Sequence, residues 1–201
     1  MRNYLFIIQK MKSLVTSLIL LFCISIYGQK PVDDSLKLYY QDSLMVNKNF
    51  KDGAVSNNLT IKVINPCDSE KNRFDGAVTL ISATVKNKNY TDNVVYNYPY
   101  AQSGLINLKA KNISDMTIDK RQAVFIPFTY CGNQDNDTQV TYITFYKHKK
   151  YLHHIKYYCG EDNKCKVKDD LNVTLKDLPA PVKAKVIRDL ATKYKNPNDF
   201  Y

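Results

Sequence analysis

The sequence predicts a mainly β protein: an antiparallel β-sandwich, immunoglobulin-like or jelly-roll-like, with an amphipathic α-helix at its C-terminal end. Three observations lead to this class. Seven or eight short segments between residues 58 and 178 alternate apolar and polar side chains and are separated by polar turns. Four cysteines lie in or beside these segments, and an apolar N-terminal segment precedes them. After residue 178 the apolar residues recur at helical spacing instead.

Residues 1–28 are predicted to be a signal peptide. Lys10 and Lys12 supply its basic region, and residues 14–26 are almost wholly apolar. This apolar stretch has the length of a signal core and is too short to span a bilayer comfortably. An uncleaved N-terminal anchor is the alternative.

Cleavage is expected after Gly28, a small residue that precedes a polar one. Met11 is an alternative start of translation, because it opens a more compact signal. A lipoprotein acylated at Cys23 is a further alternative, although apolar residues continue beyond that cysteine. Ile26-Tyr27-Gly28-Gln29, followed by a chain rich in Lys, Asn, Tyr and Ile, resembles the signal-peptide ends of Bacteroidetes envelope proteins. That resemblance implies a secreted or periplasmic location.

The charge balance favours anionic partners. Removing Arg2, Lys10 and Lys12 with the signal leaves 26 of the 29 basic residues against 19 acidic ones, a net charge of +7. Such a surplus favours phosphate, acidic glycans, membrane surfaces or nucleic acid. A lysine-rich surface that serves solubility explains the same numbers and is favoured, because the basic residues are spread out and not clustered. We expect no nucleic-acid partner.

The four remaining cysteines are predicted to form two disulfides, as an even number of cysteines in an exported chain normally does. Three pairings are possible. We favour Cys159–Cys165, which closes the loop after a hairpin, and Cys67–Cys131, which ties two strand ends together. Loop-closure entropy assigns about 2.4 kcal/mol to the short bridge and about 4.3 kcal/mol to the long one. A four-cysteine zinc site is the alternative, but the close C-x-x-C pairs that such sites prefer are missing, so we expect no metal or cofactor.

The strands are predicted from alternation and from β-branched and aromatic content. They lie at residues 59–64, 77–85, 93–98, 105–110, 113–118, 122–130, 140–146 and 151–158, with one more proposed at 171–175. Pro127 predicts that its strand lies at an edge or carries a bulge, because proline lacks the N–H that a central strand donates. Residues 29–57 are predicted to form an extended arm or a short helix, and residues 58–178 the sandwich domain.

A β-hairpin followed by a disulfide-closed loop is the clearest predicted part of the sheet. Side chains alternate across a strand, so Ile143 and Phe145 share one face while Tyr142 and Tyr146 share the other. The turn is placed at or close to His148-Lys149-Lys150. The predicted core residues of this hairpin are Ile143, Phe145, Ile155 and Tyr157.

Residues 179–201 are predicted to contain the clearest helix of the mature chain, at 182–195. Prolines precede it, and Asn196-Pro197 ends it. Its apolar stripe consists of Val182, Val186, Ile187, Leu190 and Tyr194. We expect this stripe to pack against the sheet. A basic amphipathic helix also suits contact with an anionic membrane or docking of a partner.

Tyrosine is the candidate ligand-binding residue type, since the chain has 16 tyrosines and no tryptophan. A tyrosine joins an apolar ring to a polar tip, which suits carbohydrate stacking or protein contact. The candidate binding residues are Tyr96, Tyr98, Tyr100, Tyr142 and Tyr146. Packing in the core or along an edge strand is the alternative role for these residues.

No catalytic motif is present in the sequence. His148, His153 and His154 lie close together, but adjacent strand residues face opposite ways, so the last two are not expected to bind one metal. Cys159 follows His154 closely, and disulfide formation removes its thiol. The acidic residues Glu161, Asp162, Asp169 and Asp170 lie in or near predicted loops, where solvation is their ordinary role.

The function is therefore predicted only by class. We expect a secreted or periplasmic, non-catalytic binding module for a glycan, a surface polymer or a protein partner. One alternative is a small secreted hydrolase that uses loop carboxylates or a histidine. The other is a structural subunit of an envelope assembly, docked through its C-terminal helix.

Overall fold

The structure, a computed structural model, describes residues 43–67, 79–97, 104–131, 138–160 and 165–195. All of them belong to one compact unit, Tyr40–Tyr201. The predicted signal peptide, Tyr98, Tyr100, Glu161 and Asp162 lie outside the described residues. No helix of the described part is long and apolar enough to cross a membrane.

Ten strands and two helices make up the described part of the chain. The strands are β1 (Ser43–Asp52), β2 (Val55–Ile64), β3 (Leu80–Lys86), β4 (Thr91–Asn97), β5 (Leu105–Asn107), β6 (Ser114–Ile118), β7 (Arg121–Cys131), β8 (Gln139–Tyr146), β9 (Lys149–Cys159) and β10 (Cys165–Val167). The helices are α1 (Leu171–Thr174) and α2 (Ala180–Thr192), and a 3₁₀ turn lies at Ala110–Asn112.

The strands form one antiparallel sheet in the order β10-β9-β8-β7-β1-β2-β3-β4, and β5 and β6 pair with β7 beside this path. The mainly β class with a C-terminal helix is confirmed. The division into the two sheets of a sandwich is not confirmed, because hydrogen bonds connect all ten strands. The connection between the two halves is narrow, since β1 and β7 pair only at Asp52 and Arg121.

The first core lies between the two halves of the sheet. One face of β7 and β8 supplies Ile126, Phe128 and Ile143 to it, while β2 and β3 supply residues such as Leu59 and Ile81. All five side chains are at most 1% exposed. Such burial shows that β1–β4 fold over β7 and β8, and apolar burial of this kind is the main force that holds the halves together.

The second core lies on the opposite face of β7–β9 and is covered by α2. The helical stripe packs there on Tyr142, Ile155 and Tyr157. Val182, Val186, Leu190 and Tyr194 are at most 2% exposed, and Ile187 is partly buried. The predicted stripe and its packing on the sheet are therefore confirmed.

Two charged residues of α2 are buried in this second core. Lys185 donates a hydrogen bond to Asp189 one turn later, and its Nζ lies 5.3 Å from the centre of the Phe125 ring. Lys193 adds a second cation 3.6 Å from the Asp189 carboxylate. The pairing reduces the cost of burying either charge under the helix.

The predicted hairpin forms, but its two strands contribute to different cores. Ile143 lies opposite Leu152, and Val140 lies opposite Ile155, with the turn at residues 147–148. Ile143 and Phe145 therefore face the first core, whereas Ile155 and Tyr157 face the second. All four predicted core residues are buried, but in two different cores. The turn has two residues, 147–148, where the sequence suggested three, 148–150, and this one-residue difference in turn length moves every side chain of the return strand to the other face.

Three other predictions of local structure were wrong. Residues 43–52 form strand β1 and not an arm or helix, and the proposed strand at 171–175 contains α1, whose first turn is capped by the Asp170 side chain. Strand β7, which contains Pro127, is central and not at an edge. Its proline is tolerated because β6 pairs up to Phe125 and β5 pairs from Thr129, so residue 127 has no partner on that side.

The predicted disulfides are confirmed. Cys67 and Cys131 are joined with 6.1 Å between their Cα atoms, and Cys159 and Cys165 with 4.0 Å. The second pair are direct partners in the β9–β10 ladder, so the bridge holds the short edge strand in place. Two disulfides indicate an oxidising, extracytoplasmic compartment.

Hairpin turns at one end of the sheet contain left-handed residues. Gly53 has φ 66°, and the 119–120 and 147–148 turns each contain two positive values, 49° and 63° in the first and 51° and 56° in the second. Paired positive values are typical of type I′ turns, which prefer Asn-Gly. Asp119, Lys120, Lys147 and His148 each add roughly 1 kcal/mol of backbone strain.

Replacing the 119–120 turn with its preferred sequence should stabilise the protein. Asp119→Asn with Lys120→Gly should raise the free energy of unfolding by about 0.5–1 kcal/mol in urea denaturation, because both positions lose strain. Gly53→Ala should introduce strain instead of removing it. An added Cβ meets nothing within 4 Å, so the effect comes only from placing alanine at a positive φ. This variant should lose about 1 kcal/mol. A destabilised Asn-Gly variant would contradict the assignment of strain.

Truncating the helical stripe should show how much the second core depends on α2. Leu190→Ala should cost about 2–4 kcal/mol in chemical denaturation, because the side chain is 2% exposed and leaves a cavity. Arg188→Ala on the exposed side of the same helix is the matched control and should stay within about 0.5 kcal/mol of the parent. Equal effects would mean that the helix does not pack as described.

Candidate functional site

The described candidate tyrosines do not share a surface. Tyr142 and Tyr146 are 0% and 3% exposed in the second core, so neither ring is available to a ligand. Tyr96 is partly buried against the first core, with its ring centre 6.1 Å from that of Phe128 and 4.7 Å from that of His154. Tyr98 and Tyr100 lie outside the described residues, so ligand binding by Tyr96, Tyr98 and Tyr100 stays a prediction.

His153 and His154 face opposite sides of the sheet, as adjacent strand residues must. The buried His153 has its Nε2 2.7 Å from Oδ1 of Asp177, a contact that anchors the α1–α2 connection to β9. His154 has its Nδ1 3.0 Å from the Thr141 hydroxyl, which is 2.9 Å from the Tyr130 hydroxyl. Burial, with smaller effects of His153 and Lys156, lowers the pKa of His154 below its usual value of 6.5.

The most regular polar surface of the described chain is the side of β1–β4 that faces away from the first core. We call it the outer face. Antiparallel register places its side chains in rows across the four strands. The outer face consists of Ser43, Met45, Asn47, Asn49, Lys51, Ser56, Asn58, Thr60, Lys62, Ile64, Leu80, Ser82, Thr84, Lys86, Thr91, Asn93, Val95 and Asn97.

Hydrogen bonds order the amides at the centre of the outer face. The Thr60 hydroxyl lies 2.9 Å from Oδ1 of Asn47 and 3.2 Å from Oδ1 of Asn58, and it can donate to either. Asn58 Nδ2 donates to Oδ1 of Asn49 over 3.0 Å. Thr84 donates to Oδ1 of Asn93 over 3.1 Å on the neighbouring strands. These bonds use amide oxygens as acceptors and one N–H of Asn58 as a donor, which leaves the amide N–H groups of the exposed Asn47, Asn49 and Asn93 available to a ligand.

The outer face is also free of acidic residues. Its charged side chains are Lys51, Lys62 and Lys86, all exposed. Asp52 and Asp92, the two acidic residues of these strands, lie on the inward side of the sheet, where Asp52 is 7% exposed. The surface therefore presents hydrogen-bond donors and positive charge together, and it has no carboxylate to repel an anion.

A second cluster lies at the end of the sheet that carries the turns. The buried carboxylate of Asp52 is 3.2 Å from Nη1 of Arg121 and 3.3 Å from Nε2 of His148. The His148 ring meets Tyr90 edge-on, with 5.1 Å between ring centres. Asp52, Tyr90 and His148 line a recess with about 10 Å³ of enclosed space, room for about one water molecule.

The hydrogen bond between Tyr90 and Asp92 affects the pKa values of both side chains. Tyr90 donates to Oδ2 of Asp92 over 2.9 Å, and Lys150 donates to Oδ1 over 2.6 Å. Burial and the Asp92 contact raise the pKa of Tyr90 to about 12. Burial by itself would raise the pKa of Asp92, but hydrogen bonds from Lys150, Tyr90 and the Asn93 backbone lower it overall. This group is a neutral phenol beside a paired carboxylate, and it connects β4 to β9.

Strand β1, which supplies part of the outer face, was not predicted from the sequence. Leu44, Val46 and Phe50 lie on one side of β1, but Lys48 interrupts this apolar set and Met45 places an apolar residue on the other side. Lys48 is an inward-side residue whose Nζ reaches Asp115 of β6 at 2.6 Å. That contact gives the Lys48 ammonium group a partner on the inward side, and β1 itself is held by pairing along its whole length with β2.

Comparison with known proteins adds no assignment: no protein family model, curated protein or solved structure matches this chain. The described residues also include no group of three or more histidine, cysteine, aspartate or glutamate side chains placed to hold a metal ion. The outer face and the cluster around Asp52 are therefore the candidate functional surfaces of the described residues.

Acidification should destabilise the protein through His154. Because its pKa is lower in the folded chain than in the unfolded chain, the unfolded chain binds more protons just below pH 6.5. The free energy of unfolding should therefore fall between pH 7 and pH 5. His154→Gln can keep a hydrogen bond to Thr141 and should make this fall smaller. Urea denaturation at both pH values measures it, and an unchanged fall would exclude His154 as its source.

Proposed function

We propose that this chain is an exported, non-catalytic binding module whose outer face holds an extended, hydroxyl-rich polymer of the glycan type. The observation that carries the proposal is the ordered Asn/Thr network at the centre of a four-stranded face without acidic residues. Amide N–H groups and lysine ammonium groups are all donors, and the oxygen atoms of a glycan are suitable acceptors.

Preorganisation supports binding at this face. The amides are already held by Thr60 and by one another, so fewer side-chain rotations are lost when a ligand binds. The rows follow the sheet, with strands about 4.8 Å apart and outward residues about 7 Å apart along each strand. An extended polymer can make the same contact repeatedly across such a surface, whereas a small molecule finds no enclosing pocket there.

A protein partner fits this face less well. Protein interfaces are enriched in aromatic residues, methionine and arginine and depleted in lysine and serine. The outer face contains lysines and serines but no aromatic residue or arginine, and its apolar members Met45, Ile64, Leu80 and Val95 lie in the two rows farthest from the turns. Docking of a partner on α2 is also less well supported than glycan binding, because the apolar stripe of this helix is already buried against the sheet.

Binding by the outer face can be tested with the exported protein and a set of soluble polysaccharides: dextran, dextran sulfate and polygalacturonate. Affinity electrophoresis or biolayer interferometry should detect at least one of them. Asn58→Ala with Thr60→Val removes the centre of the network and should weaken that binding about tenfold, the equivalent of one to two hydrogen bonds.

The matched control is Thr117→Val with Asn172→Ala, the same two changes at exposed positions on β6 and α1. It should bind as the parent does. Failure of all three polymers to bind would contradict the proposal, and so would an equal loss in both variants. Circular dichroism of each variant confirms that the sheet is intact.

A further inference from the structure

The turn end of the sheet carries a concentration of positive charge. The turns after β1, β6 and β8 meet there, since Asp52 of the first pairs with Arg121 and contacts His148. We define the turn end by its charged residues: Lys51, Asp52, Asp119, Lys120, Arg121, Lys147, His148 and Lys149. Five of them are lysine or arginine and two are aspartate, a surplus of three positive charges before His148 is counted.

The negative charge of Asp52 is screened from any ligand at this end. Its side chain is 4% exposed and lies between Arg121 and His148, whose side chains are 42% and 48% exposed. The cations are therefore outside and the carboxylate is inside. An approaching anion meets Lys120, Arg121, Lys147 and Lys149 first, with Asp119 as the one exposed acidic residue among the turn-end residues.

The turns hold their cations in strained backbone. Lys120, Lys147 and His148 all have positive φ values, although asparagine and glycine would be the unstrained residues for these turns. Strain of this kind clusters at functional positions. Short two-residue turns also fix the backbone positions from which these side chains extend, so the basic residues stay at one end of the sheet.

The turn end is continuous with the outer face. Lys51 belongs to both, and Lys86 lies in the next row, opposite Asn58. A polymer that follows the outer face toward the rows of Lys86 and Lys51 therefore reaches the turn end. Val55 is the one large apolar side chain exposed near these turns in the described chain, at 44%. Membrane-surface binding normally adds several buried apolar side chains, so a polymer in solution fits better than a lipid surface.

We infer that the turn end is an anion-binding site and that the ligand of the outer face is a polyanionic glycan carrying sulfate or carboxylate groups. This inference rests on the proposed function. The Asn/Thr network holds the hydroxyl-rich backbone of the polymer, and the turn-end cations together with Lys86 pair with its charged groups.

Dextran and dextran sulfate provide the test, since they share a backbone and differ in charge. The full exported protein should bind dextran sulfate at least tenfold more tightly than dextran, and the difference should shrink with rising salt. Polygalacturonate distinguishes carboxylate from sulfate recognition. Lys120→Gln, Lys147→Gln and Lys149→Gln together should weaken dextran sulfate binding about tenfold and leave dextran binding unchanged.

A matched variant separates a site from general charge. Lys156→Gln, Lys166→Gln and Lys176→Gln remove the same three charges from exposed positions on β9, β10 and the segment after α1. This variant should bind dextran sulfate within about twofold of the parent. Equal losses in the two triple variants would overturn the turn-end site. Equal affinity for dextran and dextran sulfate would contradict a polyanionic ligand but not the proposed function. Absence of binding to any of the polymers would contradict both.

Discussion

Strands β7 and β8 are buried on both faces, and the rest of the structure depends on covering them. Residues 123–130 and 140–146 are all buried, threonines and Pro127 included. One face requires β1–β4 to fold over it, and the other requires α2. Hydrophobic burial on two sides thus explains why a single sheet doubles back on itself and why the chain ends in a helix.

Strands β1–β4 cover β7 and β8 with one side, and their other side, the outer face, remains exposed to solvent. Its inner side is committed to the first core, so only alternate residues are available for function. Those residues are asparagines, threonines, serines and lysines, and the acidic residues of the same strands face inward. The division of charge between the two sides of one sheet is the physical basis for a donor-rich surface that suits an acceptor-rich, anionic polymer.

Asp52 connects this surface to the other half of the molecule. It ends β1, makes the single β1–β7 pair, and its carboxylate contacts Arg121 and His148. Its ion pair with the half-exposed Arg121 contributes little to stability, because water screens the guanidinium group. Its larger effect is on position: it draws three turns together and keeps their basic side chains at one end.

The sequence by itself determined the β class and the apolar stripe of α2, because alternation and helical spacing are local patterns. It predicted two disulfides but left three pairings open, and the tertiary structure selected Cys67–Cys131 and Cys159–Cys165. Only the tertiary structure decided which face of each strand is covered. Ile143 and Ile155 entered different cores because the turn has two residues, 147–148, and a turn one residue longer would reverse the return strand. β1 is a strand despite Lys48 because all ten of its residues pair with β2. The outer face and the turn end exist only once strands distant in sequence pair, so no local pattern could have placed their residues together.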